Sequence, residues 1–532
     1  MIKVLIDLRP ALDGFAGIPQ ESRLLFRWLA TLNSIDVEGL LQDSNRRLAR
    51  GLPDIQPSYL RNSPARRINR FSRVVISLGD TPYHNAFDTA VDFIAKRAER
   101  LFLSIGTIFG IKSVSLTRFE SAGFEDFLWR SLFAKTLPSD DFLGVVSRGF
   151  RVCSTPWTSL HWAGLRTLNV LHTPLYPILD ARQCDILIAQ TPYPGRLRGK
   201  TKLVVRYHDA LPVFMPHTID DRAHHQAKHF FALAANVRDG AYFACVSEAT
   251  RQDLLRLFPH VTDRAVTIHN MVSHHYFRED SDRALVAGII RTRIYDTEDP
   301  NNVDLKIDFM GVREKEVFYK KAIGDGNFPY LLMVSTVEPR KNHARLLAAW
   351  EVLKAEIDPS LKLVIVGTLG WGVDSLIPNF RTWLARGEIF MLEKIPAPDL
   401  RVLYRHAAVT ICPSVGEGFD YSGVEAMLSG GIVASSDIPV HREIFDDASE
   451  YFDPYSTGSL VAVIKRMLYS VDSARLRDAL KSRGAEVGAR YAPQKVLGRW
   501  RAFLSGVAAG RVFKNGVLET DTLEFQSLSQ TE

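Results

Sequence analysis

The sequence predicts an α/β protein in which parallel sheets are covered by helices. Short runs of aliphatic and β-branched residues recur, and each is followed by a polar or glycine-bearing loop and then a helical pattern. Strand and helix in repeated alternation are typical of doubly wound α/β domains. The clearest runs are KVLIDL at residue 3, CDILIA at 184, KLVVRYH at 202, YFACVS at 242, YLLMVS at 330, KLVIVG at 362, EIFML at 388 and AVTICPS at 408.

A chain of 532 residues is longer than one hydrophobic core usually organises, so we expect at least two domains. Two blocks of the alternating pattern are separated by a charged stretch that contains EDPNN and GDGNFP. We therefore place a first domain at 1–278, a linker at 279–327 and a second domain at 328–490. Residues 44–145 are interpreted as a helical insertion in the first domain, and the polar residues 511–532 as a flexible tail.

The charge balance restricts the classes of partner. The chain has 66 Lys and Arg against 60 Asp and Glu, a formal net charge of +6 and a sequence pI near 9.0. This mildly basic balance suits anionic ligands or an anionic membrane surface. The sequence has no block of Lys and Arg and no run that interleaves basic and aromatic residues, so we expect no nucleic-acid partner.

Three sequence features bear on the location of the protein. The opening run MIKVLIDLRPALDG is interrupted by Asp7 and Arg9, so it lacks the apolar core of a secretory signal. The longest apolar stretch, LFLSIGTIFGI at 101–111, is shorter than the ~18 residues that span a bilayer. The four cysteines form no CxxC pair, and Cys184, Cys245 and Cys412 are interpreted as small buried hydrophobes. We expect a cytoplasmic protein whose insertion either contacts the cytoplasmic face of the inner membrane or forms a structural cap.

The first segment that carries chemistry is YLLMVSTVEPRKNHARLLAAW, a strand that runs into Glu338–Asn342 and then an amphipathic helix. Arg340 and Lys341 would lie together at the carboxyl end of the strand, beside the helix N-terminus. Side-chain charge and helix dipole add there, so the segment predicts an anion site that suits phosphate. The alternative is a solvated loop whose charges pair with neighbouring acids.

The second segment is EGFDYSGVEAM at 417–427, which follows the run AVTICPS. Its glycines let backbone N–H groups approach a ligand, and a helix that starts near Tyr421 aims positive potential at it. Glu425 lies roughly two turns beyond Glu417 and can face the same cleft, so the two acids would contact different parts of one elongated ligand. A carboxylate that accepts two hydrogen bonds suits the vicinal diol of a ribose or a sugar ring. The alternatives are a glycosidase-like acid/base pair, a metal site supported by Asp420, or two solvated glutamates.

Two further segments contain candidate ligand-binding residues. His208 and Asp209 follow a strand directly, at the sheet edge where open α/β folds bind ligands, although a histidine there can also be purely structural. HHQAKHFF at 224 would place His225 and His229 on one helix face, but without an HExxH pattern we interpret it as a solvated face rather than a metal site. Gly17 stands in the turn after the first strand, which is not GxGxxG but can approach a phosphate.

Taken in order, these segments resemble the retaining GT-B glycosyltransferases of glycosyltransferase family 4, group 1, which includes bacterial mannosyl- and rhamnosyltransferases that build lipopolysaccharide and capsule. The combination that carries the resemblance is EPRKN followed by a helix, the E-x7-E spacing of Glu417 and Glu425, and SDIPVHRE at 436–443. The resemblance is strong from about residue 328 to 491 and patchy before residue 200.

The resemblance implies two Rossmann-like domains that face each other across a cleft. The acceptor side would lie in the N-terminal domain and the nucleotide-sugar donor in the C-terminal domain. YAPQKVLGRWRAFL resembles the start of the family helix that crosses back to the first domain, which we place at 491–510. The chain departs from its relatives where Ser335 and Thr336 stand near a usual arginine, and where Asn270–Met271 replaces a usual Asn-Gly.

The resemblance also implies which residues bind the nucleotide. Lys341 and Arg340 would hold the donor diphosphate, with Arg340 in place of the arginine that many relatives carry earlier. Glu425 would hold the ribose. Fixed cations stabilise the negative charge that develops on the departing diphosphate, so no metal and no cofactor are expected beyond the nucleotide-sugar co-substrate.

The remaining implied roles concern the transferred sugar. Glu417, with the backbone at Gly418 and Phe419, would hold this sugar. His208 resembles the family histidine that reaches the donor sugar from the other domain, and Gly17 resembles the glycine-loop position near the phosphate. The predicted catalytic residues are His208, Glu417 and Lys341.

The function expected from this resemblance is transfer of mannose from GDP-mannose, with retention of configuration, to a cell-surface polysaccharide, an O-antigen or a lipid-linked precursor. Its partners would be a nucleotide-sugar donor and a glycan or lipid-linked acceptor. The alternatives are a transferase of the same fold that uses a UDP- or dTDP-sugar, a phosphorylase or synthase of that fold, and a non-catalytic scaffold that binds sugar nucleotides.

Overall fold

The computed structural model describes residues 1–15, 17–55, 60, 63–79, 86–110, 113–294 and 309–518. Two separate sheets of largely parallel strands organise them, one of ten strands and one of six. Each of the eight apolar runs expected to form a strand contains one. The strands of the first sheet are β1 (Ile2–Asp7), β2 (Ile35–Leu41), β3 (Ser113–Phe119), β4 (Gly149–Cys153), β5 (Ile178–Asp180), β6 (Ile186–Ala189), β7 (Arg196–Leu197), β8 (Lys202–Tyr207), β9 (Tyr242–Cys245) and β10 (Ala265–Thr267).

The first sheet has the order β10-β9-β8-β6-β1-β2-β4-β3-β5-β7, and only the β3–β4 pair is antiparallel. Because β1 has β2 on one side and β6 on the other, the strand order reverses at β1, and open α/β sheets bind ligands at such a point. Every residue of β6 and β9 is buried. Burial on both faces explains why these strands are continuous apolar runs rather than alternating ones.

Helices cover this sheet and form most of the predicted insertion. They are α1 (Arg9–Leu12), α2 (Ile18–Leu29), α3 (Pro64–Leu78), α4 (Ala86–Ile108), α5 (Glu125–Leu128), α6 (Phe142–Val146), α7 (Trp157–Arg166), α8 (Leu168–Leu171), α9 (Leu211–Phe214), α10 (Arg222–Arg238) and α11 (Glu248–Leu257), with a π-helix at Trp129–Phe133 and 3₁₀ turns at Ser139–Asp141, Pro216–Thr218 and Pro259–Arg264. The insertion at 44–145 also contains β3, whose antiparallel pairing with β4 extends the sheet towards its edge.

The second sheet has the order β13-β12-β11-β14-β15-β16 with all pairs parallel, which is the strand order of a dinucleotide-binding α/β domain. Its switch point lies between β11 and β14. The strands are β11 (Tyr330–Val334), β12 (Lys362–Val366), β13 (Ile389–Leu392), β14 (Val409–Cys412), β15 (Val433–Ser436) and β16 (Ser449–Phe452). The expected pair of Rossmann-like domains is confirmed.

The helices of the C-terminal half are α12 (Leu285–Arg293), α13 (Val312–Ile323), α14 (His343–Glu356), α15 (Ile377–Ala385), α16 (Ala397–His406), α17 (Tyr421–Leu428), α18 (Pro439–Phe445), α19 (Thr457–Tyr469), α20 (Ser473–Ala489) and α21 (Pro493–Ala508), with 3₁₀ turns at Pro339–Lys341, Asp446–Ala448 and Lys514–Gly516. Two of them, α12 and α13, lie in the range predicted as a linker. Val286 of α12 and Ile323 of α13 pack in one apolar cluster with Tyr330 and Leu332 of β11. The described part of this range therefore contains two helices that pack on the second domain, while 295–308 lie outside the described residues.

The last long helix, α21, packs on the first domain. Val496, Trp500 and Phe503 are buried in the same apolar cluster as Val4 and Ile6 of β1. The chain therefore returns to the first domain after completing the second one. The predicted tail is described only as far as residue 518. Within the described part of the chain, no helix has the length and apolar content to span a membrane, and all four cysteines are buried and unpaired.

Candidate functional site

Two loops meet at the carboxyl edge of the second sheet, at its switch point. The first follows β11 and contains the 3₁₀ turn Pro339–Lys341, and the second follows β14 and leads to Glu417. Because β11 and β14 pair directly, the loops lie side by side, and Val415 N–H donates a hydrogen bond to the Arg340 carbonyl at 2.9 Å. The two segments that sequence analysis singled out for diphosphate and sugar therefore form one surface, where this fold binds ligands.

Glu417 pairs with both cations of the first loop. Its Oε1 accepts a hydrogen bond from Lys341 Nζ and its Oε2 one from Arg340 Nη1, each at 2.6 Å. Arg340 Nη2 also donates to Glu338 Oε1 at 2.6 Å. Burial would raise the pKa of Glu417, but the charges of Arg340 and Lys341 outweigh it and lower that pKa. The Glu417 carboxylate is thus ionised at neutral pH and offsets part of the positive charge of the two residues that are predicted to hold a diphosphate.

His208 and Asp209 bring the first domain against this site. A Cβ on Gly418 would lie 1.8 Å from the His208 carbonyl oxygen, so only glycine allows the two domains to approach this closely. Burial lowers the pKa of His208 to about 3, so its ring is neutral at pH 7, with Nε2 at 3.4 Å from Gln190 Oε1. Burial raises the pKa of Asp209, and the charge of Arg340 across the cleft opposes that rise.

Glu425 lies on α17 and is buried at 4% relative exposure. Gln20 Nε2 donates to its Oε1 at 2.8 Å, Tyr404 Oη donates to its Oε2 at 3.2 Å, and Tyr276 also hydrogen-bonds this carboxyl. Burial raises the pKa of Glu425 to about 7, although these hydrogen bonds lower it in part. Both oxygens already have partners, so a ribose would have to displace one. Gln20 is the partner that comes from α2 of the first domain.

A second contact between the domains lies one residue further along α2. Glu21 Oε1 accepts from Arg206 Nε at 2.9 Å, both side chains are fully buried, and Tyr421 Oη at the start of α17 donates to Glu21 Oε2 at 2.9 Å. Arg206 also donates to Asn270 Oδ1 at 2.6 Å and lies over the Trp500 ring at 5.1 Å. This buried network fixes the start of α2 against the start of α17.

Gly17 and Phe419 contribute mainly through their backbone. Gly17 is the N-cap of α2 with φ of 71°, where residues with a side chain are rarely found, and the space beside it is open. The Phe419 ring is buried against Tyr421 and Tyr491, at centroid distances of 5.3 and 5.2 Å. Only the main chain of Phe419 is therefore available to a ligand.

The SDIPVHRE segment contacts residues that position the site. His441 Nε2 lies 3.2 Å from Asp420 Oδ2, while Asp420 Oδ1 accepts from the backbone N–H of Ser422 at 3.0 Å and caps α17. Glu443 accepts from the first two backbone N–H groups of α11, at 2.6 and 2.9 Å, which ties α18 to the first domain. Asp420 therefore holds the start of the helix that carries Glu425, and its carboxylate faces protein partners.

The predicted metal alternatives gain no geometric support. Among the described residues, neither Glu417 with Asp420 nor His225 with His229 belongs to a group of three potential metal ligands. His229 packs instead beside Tyr207, with ring centroids 5.8 Å apart. The absence of a metal from the reaction stays a prediction.

Sequence analysis missed the contribution of α2. Gln20 and Glu21 reach Glu425 and Tyr421, and Arg206 holds Glu21 from β8. A usable signal existed, because Gln20 and Glu21 are polar residues in the first turn of the helix that follows Gly17. No sequence signal indicated that Tyr404 would bond Glu425.

Two family models match the chain. The model described as "Glycosyl transferases group 1" matches residues 315–487, and the one described as "Glycosyltransferase Family 4" matches residues 132–276. The first covers the loops that contain Arg340, Lys341, Glu417 and Glu425, and the second covers His208. The first match therefore lies mainly on the second domain, where the resemblance is strong, and the second match lies on the first domain.

The chain is also similar to several named proteins. The chain is 36% identical over 141 residues to "Serotype-specific mannosyltransferase WbdA" of Escherichia coli, which covers 26% of this chain and 17% of that protein. It is 26% identical over 295 residues to "O-antigen chain mannosyltransferase B" of Escherichia coli, 55% of this chain and 66% of that protein. The chain thus spans less than two thirds of the length of either of these two relatives. Among solved structures, "Sucrose-phosphate synthase (tll1590)" from Thermosynechococcus elongatus superposes with a TM-score of 0.54 at 14% identity, over 96% of this chain and 100% of the other, which shows the shared fold.

Proposed function

We propose that this chain is a group 1 glycosyltransferase of the GT-B fold and that it transfers mannose from GDP-mannose to an O-antigen or a lipid-linked precursor of it, with retention of configuration. Support for mannose and O-antigen comes from the two relatives, which are both named as mannosyltransferases and one of them as an O-antigen chain enzyme. The guanine base and the retention of configuration rest on the family resemblance.

The observation that carries the proposal is the convergence of Arg340, Lys341 and Glu417 at the carboxyl ends of β11 and β14, with Glu425 in the adjoining helix. Two cations at one end and a buried carboxyl at the other match the two ends of a nucleoside diphosphate. The diphosphate carries charge for the cations, and the ribose carries a vicinal diol for the carboxyl.

The cations would supply most of the rate. Negative charge grows on the diphosphate as its bond to the sugar breaks, and Arg340 and Lys341 are already held in place to stabilise it. Because Glu417 is bonded to both cations in this structure, the diphosphate would take its place and leave the carboxylate free to accept hydrogen bonds from the sugar. Neutral His208 would approach the same sugar from the first domain.

Contact between the domains would protect the reaction from water. Gly418 lies against His208, and Gln20 reaches across to Glu425, so the cleft is narrow in this arrangement. We propose that the donor enters when these contacts part and that the approach of Gly418 to His208 re-forms around it, while the ribose takes the place of Gln20 on Glu425, which suppresses hydrolysis. Two side-chain cations in place of a bound divalent ion make the proposed reaction independent of metal.

We also propose that the protein works at the cytoplasmic face of the inner membrane. A stripe of side chains on α4 supports this, since Ile94, Phe102 and Ile105 are 66%, 62% and 45% exposed. Arg97 is exposed on the same helix and stacks on Phe93 at 4.7 Å. An apolar stripe beside cations suits the surface of an anionic bilayer, where the lipid-linked acceptor would be found.

The test of the proposed reaction is incubation of the full chain with GDP-mannose, UDP-glucose or dTDP-rhamnose and a lipid-linked O-antigen acceptor, with and without EDTA. We expect transfer from GDP-mannose only, unaffected by EDTA, with the anomeric configuration of the donor retained in the product by NMR. Transfer only from a UDP- or dTDP-sugar would favour the alternative donors, and dependence on inorganic phosphate would favour a phosphorylase. Failure to bind any nucleotide would favour a scaffold.

The membrane proposal has its own test, flotation with vesicles that contain phosphatidylglycerol. The variant Ile94→Ser/Phe102→Ser should float less than the native chain. The matched control is Val312→Ser/Val471→Ser, which removes two exposed apolar side chains elsewhere, 75% and 102% exposed, and should float normally. Equal flotation of both variants would contradict the proposal.

A further inference from the structure

Asp141, His274 and His275 form a cluster that the proposed transfer reaction does not use. Each residue offers one potential ligand atom, and these atoms all lie within 4.8 Å of one another. It is the one group of three or more such residues found in the described part of the chain. Asp141 ends the 3₁₀ turn Ser139–Asp141 in the insertion, whereas the histidines follow β10 in the segment that leads to the second domain. The cluster therefore joins two distant parts of the sequence.

The side chains are placed as metal ligands usually are. Nε2 of His275 is buried and has no hydrogen-bond partner, so the ring contains a nitrogen removed from water without compensation. His274 is exposed, which gives an ion a path from solvent, and its ring packs edge-on against Trp28 at 5.7 Å. The two imidazole rings lie 4.0 Å apart.

The surroundings of Asp141 also fit. The carboxyl is buried, and Arg27 Nε donates a hydrogen bond to its Oδ1. Carboxylates that bind metals are commonly held by such a second hydrogen bond, which orients the ligand oxygen. Asp140 also interacts electrostatically with the His275 ring and adds a second negative charge near the cluster.

We propose that Asp141, His274 and His275 bind one Zn²⁺ ion. Two imidazoles and one carboxylate are three protein ligands of the kinds that Zn²⁺ prefers, and a fourth position would be filled by water at the exposed side of the site. The same set disfavours Mg²⁺ and Ca²⁺, which prefer oxygen ligands alone. The residues are separate from Arg340, Lys341, Glu417 and Glu425, so the ion takes no part in the chemistry proposed for the donor.

The ion would fasten the segment that connects the two domains. Arg401 of α16 donates to the His275 carbonyl at 2.7 Å, and the next residue, Tyr276, hydrogen-bonds Glu425. Zn²⁺ on the His275 ring would therefore tie this segment to the insertion through Asp141. Binding to the folded chain alone raises its stability by mass action, which gives a readout independent of enzyme activity.

The test uses the untagged full chain after removal of metal. ZnCl₂ is titrated calorimetrically, Co²⁺ is followed by its visible absorption, and thermal unfolding is measured with and without Zn²⁺. We expect one ion per chain, absorption bands of low-coordinate Co²⁺, a higher unfolding temperature with Zn²⁺ and no comparable effect of Mg²⁺. Absence of Zn²⁺ binding, or equal binding of Mg²⁺, would overturn the proposal.

Variants assign the site. His274→Ala/His275→Ala should abolish the binding, and Asp141→Asn should weaken it by about tenfold or more. His224→Ala/His225→Ala is the matched control, because it removes another adjacent pair of histidines from the exposed start of α10, and it should bind like the native chain. Loss of binding in this control, or its persistence in His274→Ala/His275→Ala, would place the ion elsewhere. The exposed single change His274→Ala gives the same answer if the double variant fails to fold.

Discussion

Gln20 of the first domain donates a hydrogen bond to Glu425 of the second at 2.8 Å, and both side chains are buried. This contact joins α2 to the carboxyl that we expect to hold the ribose of the donor. A ribose that uses the same oxygen must break it. The contact therefore couples movement of the two domains to binding of the nucleotide.

Removal of this contact should increase the affinity for the nucleotide. We expect Gln20→Ala to bind GDP about three- to tenfold more tightly by calorimetry, because the donor no longer displaces a hydrogen bond to a charged or partly charged carboxyl. Gln252→Ala is the matched control, since Gln252 also donates to a glutamate, Glu248, but on an exposed surface. Weaker binding in Gln20→Ala would mean that Gln20 itself contacts the donor.

The buried carboxyl of Glu425 should make stability depend on pH. Its pKa is raised by burial from 4.5 to about 7 in the folded chain, so the folded state binds the proton more tightly than the unfolded state. The stabilisation from protonated Glu425 is full below about pH 4.5 and is lost as the pH rises to about 7, a loss of roughly 3 kcal/mol. We expect the free energy of unfolding by urea, measured relative to Glu425→Gln, to fall across this interval. A constant difference between the two proteins would contradict the shift.

Lys341 should matter more for turnover than for binding. The charge on the diphosphate grows in the transition state, so Lys341→Ala should lower kcat by about 10²- to 10³-fold and weaken donor binding by less. Lys354→Ala provides a lysine control, because Lys354 pairs with Glu388 away from the loops that follow β11 and β14. An equal loss in binding and in kcat would show that Lys341 acts on the ground state.

Glu417 should affect binding and transfer in opposite directions. Glu417→Gln removes the negative charge that neutralises Arg340 and Lys341, so GDP should bind about tenfold more tightly by calorimetry. Transfer of the sugar should fall, because the hydroxyl groups of the sugar lose the carboxylate that is proposed to accept their hydrogen bonds. A variant that loses affinity for GDP would contradict the competition between Glu417 and the diphosphate.

Gly418→Ala should prevent the domains from meeting. A Cβ would lie 1.8 Å from the His208 carbonyl oxygen, so the two backbone segments must move apart there. We expect transfer to fall by at least about 10²-fold while GDP binding is retained, because closure positions the reacting groups. Gly498→Ala in α21, where nothing lies within 4 Å of an added Cβ, should keep full activity. Full activity of Gly418→Ala would show that this approach is not needed for catalysis.

Local sequence patterns predicted much of the fold and part of the candidate site. The strand runs are visible because strands buried on both faces must be continuously apolar, and the loops after β11 and β14 are visible because charge and glycine follow a strand directly. Their meeting could be expected from the strand order of such a domain. Pairing of Arg340 and Lys341 with neighbouring acids was left open as an alternative, but Glu417 could not be identified as the shared partner, because that pairing depends on the rotamers of three side chains.

Contacts between the domains were beyond the reach of local patterns. Gln20 and Glu425 are separated by 405 residues, and Arg206 meets Glu21 only because β8 and α2 pack together in three dimensions. The helices α12 and α13 were also unexpected. A charged stretch with few apolar residues resembles a linker in sequence, and only the folded structure shows which surface those residues pack against. The cluster of Asp141 with His274 and His275 likewise depends on tertiary packing.

The most direct test of the donor site is calorimetric titration of GDP, UDP, ADP and dTDP into the native chain, Lys341→Ala and Glu425→Ala. We predict that the native chain prefers GDP, that Glu425→Ala loses at least about tenfold in affinity because a carboxyl that accepts from ribose is gone, and that EDTA changes neither result. A native chain that binds none of these nucleotides, or a Glu425→Ala variant that binds GDP normally, would contradict the assignment of this cleft as the donor site.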